Sequence, residues 1–157
     1  MAGNAQRAYV DALKMLGRRE LSEAQVRQRL ARKEYDEPEI DEAVARLLEE
    51  RAIDDTRVAE AIARSETSVR KRGKLRVKRR IESAGIAAST AKRAVDEVFG
   101  GLDADALLDA ALAKRLRRGS GIADDREFNS LYRYLVGQGF EPDRVLARLR
   151  ALRSVRP

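Results

Sequence analysis

The sequence predicts an all-α protein made of three tandem three-helix repeats that stack into an elongated, slightly curved array. Three observations carry this. First, one spacing of apolar positions occurs three times: Val26, Leu30, Tyr35, Ile40, Val44 and Leu47 are separated by steps of 4, 5, 5, 4 and 3. Val77, Ile81, Ile86, Ala91, Val95 and Val98 repeat those steps, as do Leu131, Leu135, Phe140, Val145, Leu149 and Leu152. Steps of 3 and 4 keep side chains on one helix face, and each pair of 5s crosses a turn between two helices. Second, Ala, Leu, Arg and Glu dominate, all strong helix formers, while Pro occurs only at 38, 142 and 157. Third, 38% charged residues beside 4% aromatics suit slender helices with thin apolar stripes rather than one large core.

Each repeat opens with a helix that precedes its hairpin. The first spans about Ala5 to Arg18 and is expected to turn Tyr9, Ala12, Leu13 and Leu16 inward. Ser22 with Gln25 reads as a capping box opening the second helix, and Asp36 with Glu39 as the signal for the third. In the middle repeat the opening helix starts near Asp55, buries Val58, Ala59, Ile62 and Ala63 and stops at Gly73; its hairpin turn carries Gly85 with Ser89 after it. The last repeat starts at Asp103 with Leu107, Leu108, Ala111 and Leu112 inward, and its turn has Gly139 followed by Pro142. The repeats are assigned to residues 1–53, 54–99 and 100–157. Units this small need their neighbours for stability. The expected hinges are Gly100 with Gly101 and the Gly119 to Gly121 segment, unless these glycines only cap helices.

The chain has no Cys and no His, which removes disulfides, thiolate chemistry, imidazole or sulfur zinc sites and the commonest general base near neutral pH. The acidic residues are scattered through helix starts and solvated faces, so no catalytic residue, cofactor or metal site is expected, and the protein is read as a binder, not an enzyme. The N-terminus lacks the apolar stretch of a signal peptide, and no run approaches the roughly 20 apolar residues that span a bilayer. A soluble cytoplasmic protein with no membrane partner is expected.

The net charge of +7 is unevenly divided. Residues 1–53 carry 10 basic and 11 acidic side chains, residues 54–99 carry 12 and 7, and residues 100–157 carry 11 and 8. It concentrates in RKRGKLRVKRR, where Arg70, Lys71, Arg72, Lys74, Arg76, Lys78, Arg79 and Arg80 contain no acid among them. Such a cluster repels itself, which gives a physical reason for a polyanionic partner. That partner is either nucleic-acid phosphate or an acidic protein surface; the alternative is a solvated basic face with no specific partner. The cluster contains no aromatic side chain for stacking, so phosphate contact without sequence reading is the expected mode, on single- or double-stranded DNA. A second cluster, Lys114, Arg115, Arg117 and Arg118, closes the opening helix of the last repeat, where cations also complement the helix dipole.

Three stretches together carry a family resemblance: LGRRELSEAQVRQRLARKEYDEPEIDEAVARLLEERAIDDTRVAEAIARS at positions 16–65, RKRGKLRVKRRI at 70–81 and SLYRYLVGQGFEPDRVLARL at 130–149. They resemble the RecX family of regulators of the RecA recombinase, over nearly the whole chain. The family usually has Gly just before the aromatic of the first hairpin, where this chain has Glu34, and commonly a Gly-rich or Pro-containing basic turn, where it has Gly73, Lys74 and Leu75. The resemblance implies a regulator that binds RecA, lies in the groove of its filament on DNA and usually inhibits ATP hydrolysis and strand exchange, in recombination, DNA repair and the SOS response; a monomer is expected. The basic residues above are then the candidate contacts with filament and DNA. Two other readings stay open: a general DNA-binding or architectural protein without a recombinase partner, and an RNA-associated helical module.

Overall fold

A computed structural model describes residues 2–116 and 121–154. Among them every regular element is helical: α1 (Ala2–Arg18), α2 (Glu23–Arg32), α3 (Glu37–Glu49), α4 (Asp55–Ser68), α5 (Lys74–Ser83), α6 (Ala88–Gly100), α7 (Ala104–Ala113), α8 (Asp125–Gly137) and α9 (Pro142–Ser154). Three successive helices pack on one another in each repeat, and three separate apolar clusters result. Of the eighteen apolar positions that define the repeat, all are buried except Tyr35, Val98 and Leu152, which are half-buried. With three small cores and no large one, the chain exposes 9980 Å². A compact chain of 17.6 kDa exposes about 7,900 Å², so the array is extended.

Local signals placed most helix ends. Ser22 accepts from the Gln25 N–H while the Gln25 side chain accepts from the Ser22 N–H, and Asp36 and Glu39 do the same. Asp103 caps α7 and Pro142 occupies the first position of α9. Three expectations are corrected. The helix expected to reach Gly73 ends at Ser68, because the Arg72 N–H turns back to the Glu66 carbonyl at 3.0 Å and Lys71 adopts φ +53. Helix α6 starts at Ala88 behind Ala87 with no side-chain cap, so Ser89 lies inside it. Leu13 is 39% exposed, because the buried stripe of α1 is Ala5, Ala8, Tyr9 and Ala12 and position 13 falls off its edge. Gly101 caps α6 at φ −93, an ordinary conformation, while Gly119 lies outside the described residues.

The repeats join in one way, used twice. The N-terminus of each middle helix abuts the hairpin turn of the following repeat. Between the first two repeats, the Ser22 hydroxyl donates to the Ala84 carbonyl, the Glu23 N–H donates to Asp55 Oδ1 at 2.9 Å, and Arg57 reaches Glu20 at 2.6 Å. Between the second and third, the Gly73 N–H donates to the Gln138 carbonyl at 2.8 Å and the Leu75 N–H to the Gly139 carbonyl at 3.0 Å. Helix α5 has no side-chain cap. Carbonyls of the next repeat satisfy its first-turn donors instead. The middle helices α8, α5 and α2 therefore meet end to end, in the reverse of chain order.

These joints explain one position in each turn. Glu34, Gly85 and Gly139 are equivalent and all left-handed, with φ of 68, 80 and 98°. A Cβ on Gly85 would lie 2.5 Å from the Ala24 Cβ, and one on Gly139 would lie 2.8 Å from the Arg76 Cα and closer still to its N and Cβ. Among the described residues no helix N-terminus of another repeat bonds to the turn of the first, and that turn carries Glu34.

Candidate nucleic-acid interface

The basic run is not all free charge. Part of it builds the scaffold. The Arg72 side chain, 17% exposed, places Nη1 2.5 Å from Glu66 Oε2, whose side chain is 7% exposed. This pair closes the turn between α4 and α5. Lys74 lies on the opposite flank, 2.9 Å from Asp96, which also meets Lys92 at 3.2 Å. The hydrogen bonds from Lys74 and then Lys92 hold the Asp96 carboxyl below its ordinary value. Arg76 belongs to the joint: its Nη1 donates to the Gly137 carbonyl at 3.2 Å and its backbone fills the space over Gly139.

The remaining cations are loosely paired or free. Arg70 and Lys78 stand 3.9 Å from Glu66 and Glu82, too far for a strong exposed pair. Arg79 and Arg80 are exposed and Lys71 is half-buried; among the described residues none of the three has an acidic partner, and Arg80 has only the Ser83 hydroxyl at 3.3 Å. Lys71, Arg79 and Arg80 are therefore the free positive charge of the run; elsewhere in the middle repeat Arg64 and Arg93 are likewise exposed and without an acidic partner among the described residues. In the last repeat, Lys114 caps α7 and Arg115 lies over the Tyr134 ring, 4.0 Å from its centroid. Arg117 and Arg118 lie outside the described residues.

Sequence reasoning did not single out the cations of α8. There Arg126 and Arg133 are exposed and without acidic partners among the described residues. Their i, i+7 spacing was a usable signal, but it is diluted by Asp124, Asp125 and Glu127 around it. Those acids prove to be occupied: Asp124 caps α8, Asp125 pairs with Arg153 at 2.5 Å, and Glu127 accepts from the Ala123 N–H at 2.6 Å.

Among the described residues no group of three acidic side chains is placed to hold a metal ion, and no helix is long and apolar enough to cross a membrane. The surface offers cations to a polyanion, on helices whose relative positions the joints fix.

Comparison with known proteins places the chain among relatives of one kind. The family model for the RecX first three-helix domain matches residues 8–47. A regulatory protein RecX of Halorhodospira halophila is 33% identical over 148 residues, covering 93% of this chain and 89% of its own length. One from Chlorobium phaeobacteroides is 29% identical over 138 residues, covering 87% of each. The crystal structure of RecX from Lactobacillus salivarius superposes with a TM-score of 0.82 at 21% identity, over 99% of this chain and 100% of that one.

Proposed function

Because the chain belongs to the RecX family, we propose that it binds the RecA recombinase and its filament on DNA and inhibits ATP hydrolysis and strand exchange. The observation that carries this reading is the uncompensated set Lys71, Arg79 and Arg80 on an extended array. An extended chain can follow a helical groove and touch successive protomers, and free cations are drawn to the phosphates beneath. The reading is one of binding rather than catalysis, by a monomer in the cytoplasm, with residues 1–53, 54–99 and 100–157 as the units of folding. Relatives named as regulatory proteins support it.

The test is DNA-dependent ATP hydrolysis by recombinase filaments on single-stranded DNA, with this protein added well below stoichiometric amounts. The expected result is a loss of hydrolysis that deepens with added protein. Unchanged hydrolysis at equimolar protein overturns the reading. Free cations also favour general DNA binding without a recombinase partner. That reading predicts tight binding to DNA alone, with a salt slope of roughly 0.7 to 0.9 per phosphate neutralised, and no effect on hydrolysis beyond competition for DNA.

A further inference from the structure

The basic run lacks an aromatic side chain, yet the structure supplies one beside free cations elsewhere. Arg126, Asn129, Tyr132 and Arg133 line a single open hollow on α8. From these four residues we propose a single-stranded nucleic-acid subsite, in which an unpaired base stacks on Tyr132 while Arg126 and Arg133 take the flanking phosphates.

Three features of α8 set it apart from its counterparts. It has 13 residues where α2 and α5 have 10, and the extra N-terminal turn carries Arg126. Tyr132 occupies the position that is Arg27 in α2 and Lys78 in α5. Arg27 pairs with Asp41 at 2.6 Å and Lys78 only loosely with Glu82 at 3.9 Å, whereas Tyr132 is half-buried against the third core and lines the hollow. Finally, of the neighbouring acids Asp125 pairs with Arg153 while Asp124 and Glu127 accept backbone N–H groups at the helix start, and none of the three forms an ion pair with Arg126 or Arg133.

The chemistry selects the ligand. A ring on the same open face as two cations suits a π-face flanked by phosphates, and base-on-aromatic stacking tolerates any sequence. In a duplex the bases are already stacked on one another and their faces are unavailable. The Asn129 amide, with one acceptor and two donors, can bond a base edge without fixing which base it is. The inference rests on the nucleic-acid part of the proposed function and adds a preference for unpaired strands.

The experiment uses the full chain without recombinase, so its failure would leave filament regulation untouched, and a failure in the hydrolysis assay would leave this result readable. Fluorescence anisotropy measures binding of a short labelled oligothymidylate, an abasic backbone of equal length and a duplex. Stacking of one base predicts roughly tenfold tighter binding of the oligothymidylate than of the abasic strand. Tyr132→Leu keeps the apolar contact with the core, checked by an unchanged melting curve, and should abolish that preference; Tyr132→Phe should retain it. Replacing Arg126 and Arg133 by Gln should weaken both strands and lower the salt slope by roughly 1.4. Equal binding of both strands by the native chain overturns the proposal, as does a preference that survives Tyr132→Leu. Duplex binding that depends on Tyr132 would also overturn it.

Discussion

Gly73→Ala isolates the joint between the second and third repeats. Gly73 has φ −81 and ψ 165, a conformation Ala adopts freely, so no backbone strain enters. Ala is a poorer N-cap than Gly, and it also reduces the freedom of the unfolded chain; these effects oppose each other at about 0.5 to 1 kcal/mol each. What remains is contact. The new Cβ would stand 2.6 Å from the Gly139 carbonyl oxygen and closer still to the backbone of the Gly139 to Phe140 peptide. Relief requires a separation of roughly 1 Å, which carries the hydrogen bonds from Gly73 at 2.8 Å and Leu75 at 3.0 Å beyond useful length. Two such bonds contribute about 1 to 3 kcal/mol together. Each repeat keeps its own apolar cluster, so the loss should appear as loosening of the third repeat rather than global collapse. Limited proteolysis around residues 70–74 and 137–141, with small-angle scattering for the overall dimensions, reads that loosening directly. Gly17→Ala, at a helical position with nothing within 4 Å, is the control and should stabilise by about 0.5 to 1 kcal/mol. If Gly73→Ala matches native protease resistance and dimensions, the joint does not hold the repeats together as described.

The same logic gives Glu34→Gly the opposite sign: it relieves a left-handed residue at φ +68 on whose turn no helix N-terminus of another repeat docks among the described residues, so chemical denaturation should show a gain of about 0.5 to 1 kcal/mol. Arg72→Gln leaves the nearly buried Glu66 carboxylate with only Arg70 at 3.9 Å, and should cost about 2 to 3 kcal/mol in the same assay. Replacing Lys71, Arg79 and Arg80 by Gln should instead leave unfolding within about 0.5 kcal/mol while reducing DNA affinity and the salt slope. Acid should weaken the first repeat. The Tyr35 hydroxyl foremost, with Lys33 and Lys14, holds the Asp11 carboxyl below its ordinary 3.8, and the Tyr9 hydroxyl, then Arg46, holds Glu50 below 4.5. Depressed carboxylates contribute stability that is complete above those ordinary values and lost as pH falls through the lowered ones. Melting temperature should therefore be flat above about pH 5 and fall below about pH 4, with a shallower acid limb in Tyr35→Phe.

How far the sequence reaches differs between fold and site. The apolar steps located the two hairpin helices of each repeat and the inward stripes located the opening helices, because periodicity, caps and Pro act through near neighbours and need no tertiary information. The exception is the end of α4. Positions 69–72 look helical, and only the return of Arg72 to Glu66, over the core of the repeat, stops the helix at Ser68. The site was legible as composition but not as geometry. Eight cations in eleven residues identify a basic segment, yet they cannot say that Arg72 closes a turn, that Lys74 belongs to Asp96, or that Arg76 is committed to the third repeat.

By itself, the sequence determined the all-α class, the threefold repetition, the absence of thiol and imidazole chemistry and the basic middle, since each follows from residue type and local spacing. Tertiary structure alone decided which charges remain free and why Gly85 and Gly139 are glycine while Glu34 is not. The glycines and Arg76 depend on what lies opposite them from another repeat, more than 60 positions away in the chain, while Arg72 and Lys74 depend on Glu66 and Asp96 across a turn or helix of their own repeat. At such separations the covalent order carries no distance, and only the packed array defines the neighbours.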